Sequence, residues 1–302
     1  MLGMNFSELD IEWPAPLDMV RCWDIQCDPA RIMAGGKNSY DWSRLDRFFD
    51  KANSVGASVV YVAHGCPEWQ AKGTGEHNAP WMPPKANSEW KDINVFGEFI
   101  WNLVTRYKGR GLTAVEVGNE AANLKDFYEK AGTKAGAESL AKMHKKAYRI
   151  VKDIAPNVLV VGNSILPRRS SGGVEKADKF LAAMKAQGWP VDAMSCHLYP
   201  LPDKPDAHGG GANYPEFKRD YELARDAVKK HKGPSKMWVT EWNVDLLKPT
   251  LSDSKANNVI RKIREKHKGY SFYYAWSRAD LRGTYVGPNT LAWDEMRKFK
   301  NG

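Results

Sequence analysis

Eight short apolar runs recur along the chain with amphipathic stretches between them, and this alternation leaves few folds open. The runs are residues 1–5 (Met-Leu-Gly-Met-Asn), 19–23 (Met-Val-Arg-Cys-Trp), 58–64 (Ser-Val-Val-Tyr-Val-Ala-His), 114–118 (Ala-Val-Glu-Val-Gly), 158–162 (Val-Leu-Val-Val-Gly), 192–197 (Asp-Ala-Met-Ser-Cys-His), 236–240 (Lys-Met-Trp-Val-Thr) and 270–275 (Tyr-Ser-Phe-Tyr-Tyr-Ala). Most are continuous rather than alternating, as suits parallel strands buried on both faces. Between them, residues 41–53 are amphipathic and end near Gly56. Residues 95–107 place Phe96, Phe99, Ile100, Leu103 and Val104 on one helical face, and 140–154 repeat the pattern with Met143, Ala147, Ile150 and Val151. Residues 180–185 precede the sixth run, and 214–230 and 255–267 supply two more helices. Only the first run lacks a following helix: residues 6–18 contain two prolines and read as irregular. The pattern predicts an α/β fold, a single (β/α)8 barrel. An open doubly wound sheet is the alternative, but no Gly-rich phosphate loop follows any run. No repeat, linker or low-complexity tract divides the chain, so one domain is expected over residues 1–302.

Hydrophobic content of 42% and charged content of 27% are ordinary for a soluble globular protein. No apolar run approaches the roughly 20 residues of a membrane span, so no membrane insertion is expected. The N-terminal residues lack a basic region followed by an apolar one, so no secretory signal is read; the expectation is a protein that stays inside, or leaves by lysis, on a particle, or as an excised domain. The formal charge of +9 has two readings, a solvated lysine-rich surface or an anionic partner such as an acidic glycan or a cell envelope. Nucleic acid is disfavoured, because Lys and Arg are spread along the chain without a recognised binding motif. Cys22, Cys27, Cys66 and Cys196 match no zinc spacing and read as reduced, packed thiols. A monomer is expected.

In a barrel of this kind the active face is built from the C-terminal strand ends and the loops after them. The residues there are Arg21, Trp23 and Asp24 on the second run, His64 on the third, Asn119 and Glu120 on the fourth, and Asn163 on the fifth. His197 and Tyr199 follow on the sixth, Glu241 on the seventh and Trp276 on the eighth. Glu120 and Glu241 lie about 120 residues apart, each ending an apolar run. A carboxylate at the tip of a buried strand is costly unless it is paired or in use. Two facing one cleft are the minimum equipment for glycoside hydrolysis. Glu120 reads as the acid/base, with Asn119 bonding a sugar hydroxyl beside it. Glu241 reads as the nucleophile, kept ionised by Tyr199 and Arg21. Trp276 offers a flat face to a sugar ring, and His64 and His197 would bind hydroxyls or orient the acid.

Each of these residues also has a plainer account. A single strand-end Glu is more often a salt-bridge partner, Trp276 alone is nearly as well explained by core packing, and Arg21 by pairing with a barrel carboxylate. Glu116, inside the fourth run, reads as structural, and Cys196 as core. His64 and His197 lack a His-x-His or a carboxylate at metal spacing, so neither a metal nor a cofactor is expected. The long segment after the third run carries Trp69, Trp81 and Trp90, either sugar-stacking platforms or packing against the barrel. Pro200 to Gly211 includes a Gly-Gly-Gly run and reads as a mobile lid. Arg168, Arg169, Arg278 and Arg282, in loops on the same face, point to an anionic substrate.

Asn119-Glu120 on the fourth run with Glu241 on the seventh resembles the 4/7 superfamily of retaining glycoside hydrolases, clan A. The wider pattern is most similar to family 39 and its relatives. It includes Arg21-Cys-Trp-Asp24, Tyr40-Asp-Trp-Ser-Arg-Leu-Asp46, Pro67-Glu-Trp69, Arg106 to Arg110, His197-Leu-Tyr199 and Thr240-Glu-Trp242, in order over nearly the whole chain. The resemblance implies a double-displacement mechanism with Glu120 as acid/base and Glu241 as nucleophile, their carboxyl groups about 5–5.5 Å apart. The sequence departs from the family's Trp-Asn-Glu-Pro: Gly118 precedes Asn119 and Ala121 follows Glu120. Val-Gly-Asn-Glu is similar instead to the β-1,3-glucanase and β-1,4-galactanase families of the same clan, so the family's substrate does not carry over. The 302 residues have no room for the accessory β-sandwich of some family 39 members. An open cleft acting inside a polysaccharide is therefore expected, with an envelope glycan reached after lysis or from a phage particle as the substrate suggested by the basic charge. The alternatives are an exo-acting glycosidase on small glycosides, a barrel that binds glycans without cleaving them, and a metal-dependent hydrolase using His64 and His197.

Overall fold

The computed structural model describes residues 2–6, 8–167, 173–199, 214–243, 253–275 and 294. Eight strands form a closed barrel in sequence order: β1 (Leu2–Phe6), β2 (Met19–Cys22), β3 (Ser58–Ala63), β4 (Leu112–Val117), β5 (Leu159–Ile165), β6 (Ala193–Leu198), β7 (Met237–Trp242) and β8 (Ser271–Ala275). Every pairing is parallel, and β1 closes the ring against β8. The connections carry α1 (Pro29–Ile32) and α2 (Ser43–Ser54), then α3 (Ile93–Tyr107), α4 (Lys134–Ile154), α5 (Gly173–Ala186), α6 (Tyr214–Lys230) and α7 (Asp253–Lys266). Among the described residues no helix lies between β1 and β2. The fold is a (β/α)8 barrel, as the alternation of runs predicts.

Helix starts differ from the sequence expectation. The α4 helix begins six residues before Leu140 because Thr133 caps it, its hydroxyl accepting the Gly136 N–H at 3.0 Å. Its first turn buries Gly136 and Ala137, and such small residues leave no apolar stripe to read. The same holds for α5, where the first buried residue is Ala177. The short α1 is capped by Asp28, which accepts the Arg31 N–H at 3.0 Å ahead of Pro29. The β5 strand runs on to Ile165, so Asn163 lies inside the strand and not at its end.

Two apolar layers surround the strands. The larger lies between barrel and helices and takes the outward residues, including Val20, Cys22, Tyr61, Val115, Val160, Cys196, Val239 and Tyr273. The smaller fills one end of the barrel interior with Met19, Val60, Ala114, Val161, Ala193, Trp238 and Phe272. Gly3 belongs to that level too: a Cβ there would lie 2.4 Å from the Phe272 ring. All four cysteines are buried and reduced. The Tyr40–Asp46 and Arg106–Arg110 motifs meet on the surface, where Asp46 accepts from Arg106 (2.6 Å), Tyr107 (3.0 Å) and Arg110 (2.7 Å). They tie α2 to α3 and are not part of the cleft. No described helix is long and apolar enough to cross a membrane.

Candidate active site

Side chains two residues further along a strand point the same way, one level up the barrel. The step from Met19 leads to Arg21, from Ala114 to Glu116, from Ala193 to Ser195 and from Trp238 to Thr240, with Asn5 two residues after Gly3. A polar level thus rests on the apolar one. At its centre is Arg21, with no exposed surface. A guanidinium has five N–H donors, and five acceptors surround this one. Nε donates to Glu116 Oε2 at 2.6 Å. Nη1 donates to Asn5 Oδ1 at 3.3 Å and Glu241 Oε2 at 3.2 Å. Nη2 donates to Asn119 Oδ1 at 2.8 Å and faces His197 Nε2 at 3.4 Å. Glu116 in turn accepts from Ser195 Oγ and Thr240 Oγ1, each at 2.8 Å, and Asn5 Nδ2 donates to the Thr240 carbonyl at 3.0 Å. Asn5, Glu116, Ser195 and Thr240 were not expected at the site. Their signal was polarity at inward positions of apolar strands.

The residues expected at the strand ends gather above this level. The Tyr199 hydroxyl donates to Glu241 Oε1. His197 Nδ1 lies 2.8 Å from Glu120 Oε1 and 3.6 Å from Glu241 Oε2. Because arginine only donates, His197 Nε2 accepts from Arg21, and its proton sits on Nδ1 and is given to Glu120. Burial lowers the His197 pKa despite the opposing Glu120, so the ring is a neutral donor. Glu120, His197 and Glu241 each offer an atom within 4.8 Å of the others, so a Glu120 oxygen and a Glu241 oxygen approach to 4.8 Å or less.

A built turn presents Glu120. Gly118 has φ +83° and Glu120 itself φ +49°, the left-handed region that a side chain other than glycine rarely adopts. Such strain persists only where surroundings enforce it. Here Ser164 Oγ accepts the Glu120 N–H at 2.9 Å and Asn163 Oδ1 accepts the Ala121 N–H at 3.0 Å. A Cβ on residue 118 would lie 2.9 Å from Asn163 Oδ1, so this close approach and the positive φ both require glycine here. Asn163, buried inside β5, donates its amide N–H to the Ser164 carbonyl, which fixes the orientation of the Oδ1 that holds the turn. His144 of α4 accepts the Asn163 N–H at 3.0 Å.

His64 Nδ1 accepts the Asn119 N–H at 3.1 Å, which puts the ring proton on Nε2. That buried N–H meets no acceptor among the described residues. Burial, reinforced by Arg21, pushes the His64 pKa down to about 3. Trp23 is edge-on to His64 at 5.2 Å and to Phe127 at 5.9 Å and forms a wall beside it. Trp69 is half-buried, its Nε1 donating to the Met33 carbonyl at 2.7 Å, and Trp90 packs edge-on to Phe96 at 5.5 Å. Trp81 of the same segment is 51% exposed. Trp276, Arg168, Arg169, Arg278, Arg282 and Pro200 to Gly211 lie outside the described residues.

The electrostatics are those of a crowded acidic pair beside one cation. Burial would lower the Arg21 pKa, but Glu116 and Glu241 more than offset it and hold the pKa above its ordinary value. Burial pushes the Glu241 carboxyl well above the usual range; Arg21 opposes this and Glu120 adds to it. Arg21 and Tyr199 both donate to Glu241, which favours its charged form against burial and the neighbouring Glu120. Glu120, His197 and Glu241 are also types that ligate metals, but the guanidinium 3.2 Å from Glu241 already supplies the cation and would repel a second.

The barrel is shared with glycoside hydrolases. Solved structures similar to this chain include a family 39 glycoside hydrolase from Xanthomonas axonopodis pv. citri, at 18% identity and TM-score 0.68 over 99% of this chain and 65% of that one. A glucosidase from Croceicoccus marinus matches at 15% identity and TM-score 0.67, over 99% of this chain and 66% of that one. An endoglucanase from Pseudomonas stutzeri matches at 12% identity and TM-score 0.58, over 99% of this chain and 93% of that one. The chain spans about two-thirds or less of the length of the first solved structures it matches. No family model and no curated protein sequence matches it.

Proposed function

We propose that the protein is a retaining glycoside hydrolase of the 4/7 type, with Glu241 as nucleophile and Glu120 as acid/base. The observation that carries this reading is the pair itself: carboxylate oxygens from the ends of β4 and β7 within 4.8 Å. Retaining enzymes hold their carboxyl groups at about 5–5.5 Å, whereas inverting ones leave roughly 6.5–9.5 Å for a water. In the first step a Glu241 oxygen bonds to the anomeric carbon while the glycosidic oxygen leaves with the proton of Glu120. In the second, water gives a proton to Glu120 and its oxygen bonds to the anomeric carbon, releasing Glu241. Arg21 and Tyr199 hold the Glu241 carboxylate in place, and His197 Nδ1–H supports the Glu120 carboxylate formed between the steps. His64 holds the backbone of Asn119 beside Glu120, and Trp23 walls the same side.

The substrate proposed is a polysaccharide cut internally. The exposed Trp81, on the segment after β3, supports this by offering an apolar face to a further sugar. The net charge of +9 favours an anionic glycan, such as one from a cell envelope. The test is release of reducing ends across plant, microbial and envelope polysaccharides, with Glu241→Ala as control. Release by the native protein alone supports a glycosidase, and products of mixed length support internal cutting. Binding to a glycan without release would favour a non-catalytic barrel.

A further inference from the structure

The network under the catalytic pair gives Glu116 a task beyond filling the barrel. Its contact with Arg21 is the shorter of the two ion pairs this arginine makes with the network, 2.6 Å against 3.2 Å for Glu241. It is anchored from two other strands, by Ser195 on β6 and Thr240 on β7. Glu116 is fully buried, so solvent does not screen it. We propose that Glu116 is a positioning residue: it clamps Arg21 by Nε, turns both Nη groups to Glu241, Asn119 and His197, and limits how far the arginine's charge draws the proton off the Glu120/Glu241 pair. The proposal rests on the glycosidase reading for its consequence in turnover, but not for its effect on titration.

The geometry divides one cation between two carboxylates. A guanidinium held only by Glu241 would neutralise that carboxylate fully and favour its ionised form across a wide pH range. With Glu116 holding Nε, part of that charge is already answered from below. Glu116 also adds its own negative charge, which raises the Glu241 pKa along with burial, Glu120 and Asp24. The other charged or titratable groups around Glu116 are Arg21 from β2, His197 and Cys196 from β6, Glu241 from β7, Glu120 from the end of β4, and His144 from α4, whose ring also senses Glu116. His144 and His197 have lowered pKa values and stay neutral, so Glu116 is the carboxylate that shares Arg21 with Glu241, and Asp24, just after β2, adds a further negative charge that acts on both.

The test compares Glu116→Gln, which keeps the shape and removes the charge, with Glu116→Asp, which keeps the charge and shortens the clamp. The titration is read by NMR of protein carrying 13C at the glutamate carboxyl carbons, with Glu241→Gln to assign the pair. In Glu116→Gln the upper titration step of the pair should move down, because a negative charge that raises the Glu241 pKa is removed and Arg21 is left to Glu241. In Glu116→Asp that step should stay near its native position while kcat falls at least tenfold with KM changed less than threefold. An unmoved titration in a folded Glu116→Gln protein overturns the proposal. If Glu116→Gln does not fold, native kcat in Glu116→Asp overturns it. If the native protein cleaves no glycan, the NMR titration still decides the role of Glu116, so the two readings fail separately.

Discussion

Asn119 donates its backbone N–H to His64 Nδ1 at 3.1 Å, and one strand further Asn163 does the same to His144 Nε2 at 3.0 Å. Both rings act as acceptors for the backbone that carries the site, which a protonated imidazole cannot do. The His64 pKa is pushed down to about 3 and that of His144 to about 4, each chiefly by burial. Unfolded, each histidine would titrate near its ordinary value of about 6.5. The native state therefore binds fewer protons than the unfolded one below that value. Stability from these two groups is complete above about pH 6.5 and is lost as pH falls toward 4, at about 1.4 kcal/mol per pH unit for each ring. Urea midpoints between pH 4 and 7 check this. Glutamine at position 144 can still accept and donate, so His144→Gln should flatten the slope by about one ring's share. A slope that His144→Gln leaves unchanged would remove His144 from the account.

Arg21→Lys tests the five-fold donor set. Lysine has three donors in a compact ammonium and no fork, so it cannot reach Glu116, Glu241, Asn5, Asn119 and His197 together. Two buried carboxylates would then be partly unpaired, and breaking such a pair costs about 3–5 kcal/mol. The expected result is a large fall in the urea midpoint, with kcat reduced at least 100-fold, the scale of losing a preorganised electrostatic contact. Native stability in Arg21→Lys would show that the charge alone, not the fork, holds the network.

The strand-end residues of the candidate site were legible in the sequence and the level beneath them was not, for a physical reason. Glu120, Glu241, His197 and Tyr199 stand where apolar runs stop, so the change of composition marks them. Glu116 and Ser195 lie within runs and Asn5 and Thr240 close theirs, but the neighbours of all four are also buried, and parallel strands covered on both faces hide the two-residue alternation that would mark them as inward. Each follows a member of the inner apolar level by two residues, but this is visible only once β1 closes on β8 and defines an inside. Asn163 was placed at the end of a strand because the apolar run ends at residue 162. In the barrel β5 continues past a register irregularity between Val161 and Ser164, and Asn163 turns its amide to the Glu120 turn.

That turn predicts a distinct effect for Gly118→Ala. The added methyl would sit at φ +83° and 2.9 Å from Asn163 Oδ1, so both the backbone and its hydrogen-bond anchor must shift. A left-handed position costs a non-glycine residue about 1 kcal/mol or more. The expected outcome is a stability loss of about 1–3 kcal/mol with kcat falling more than KM rises, because the displaced group is Glu120 and not a binding contact. Asn163→Ala should give the same kinetic signature by removing the acceptor for Ala121 N–H. An unchanged kcat in both would separate the turn from the chemistry.

Chemical rescue tests the roles proposed for the two glutamates, because each role would fail in its own way. Without the nucleophile, Glu241→Ala should be nearly inactive on every substrate, with a loss of about 10⁴-fold or more, since the covalent intermediate cannot form. Added azide can take the vacated space and bond to the anomeric carbon once, giving a glycosyl azide of inverted configuration. Glu120→Ala lacks the acid, so the loss should be smaller for aryl glycosides whose leaving groups need little protonation. With such a substrate the glycosyl-Glu241 ester still forms, and azide attack on it inverts a second time, giving a glycosyl azide of retained configuration. Proton NMR of the anomeric centre reads both outcomes. The same anomer from both variants would contradict the double displacement, and opposite anomers with the roles exchanged would reverse the assignment of Glu120 and Glu241.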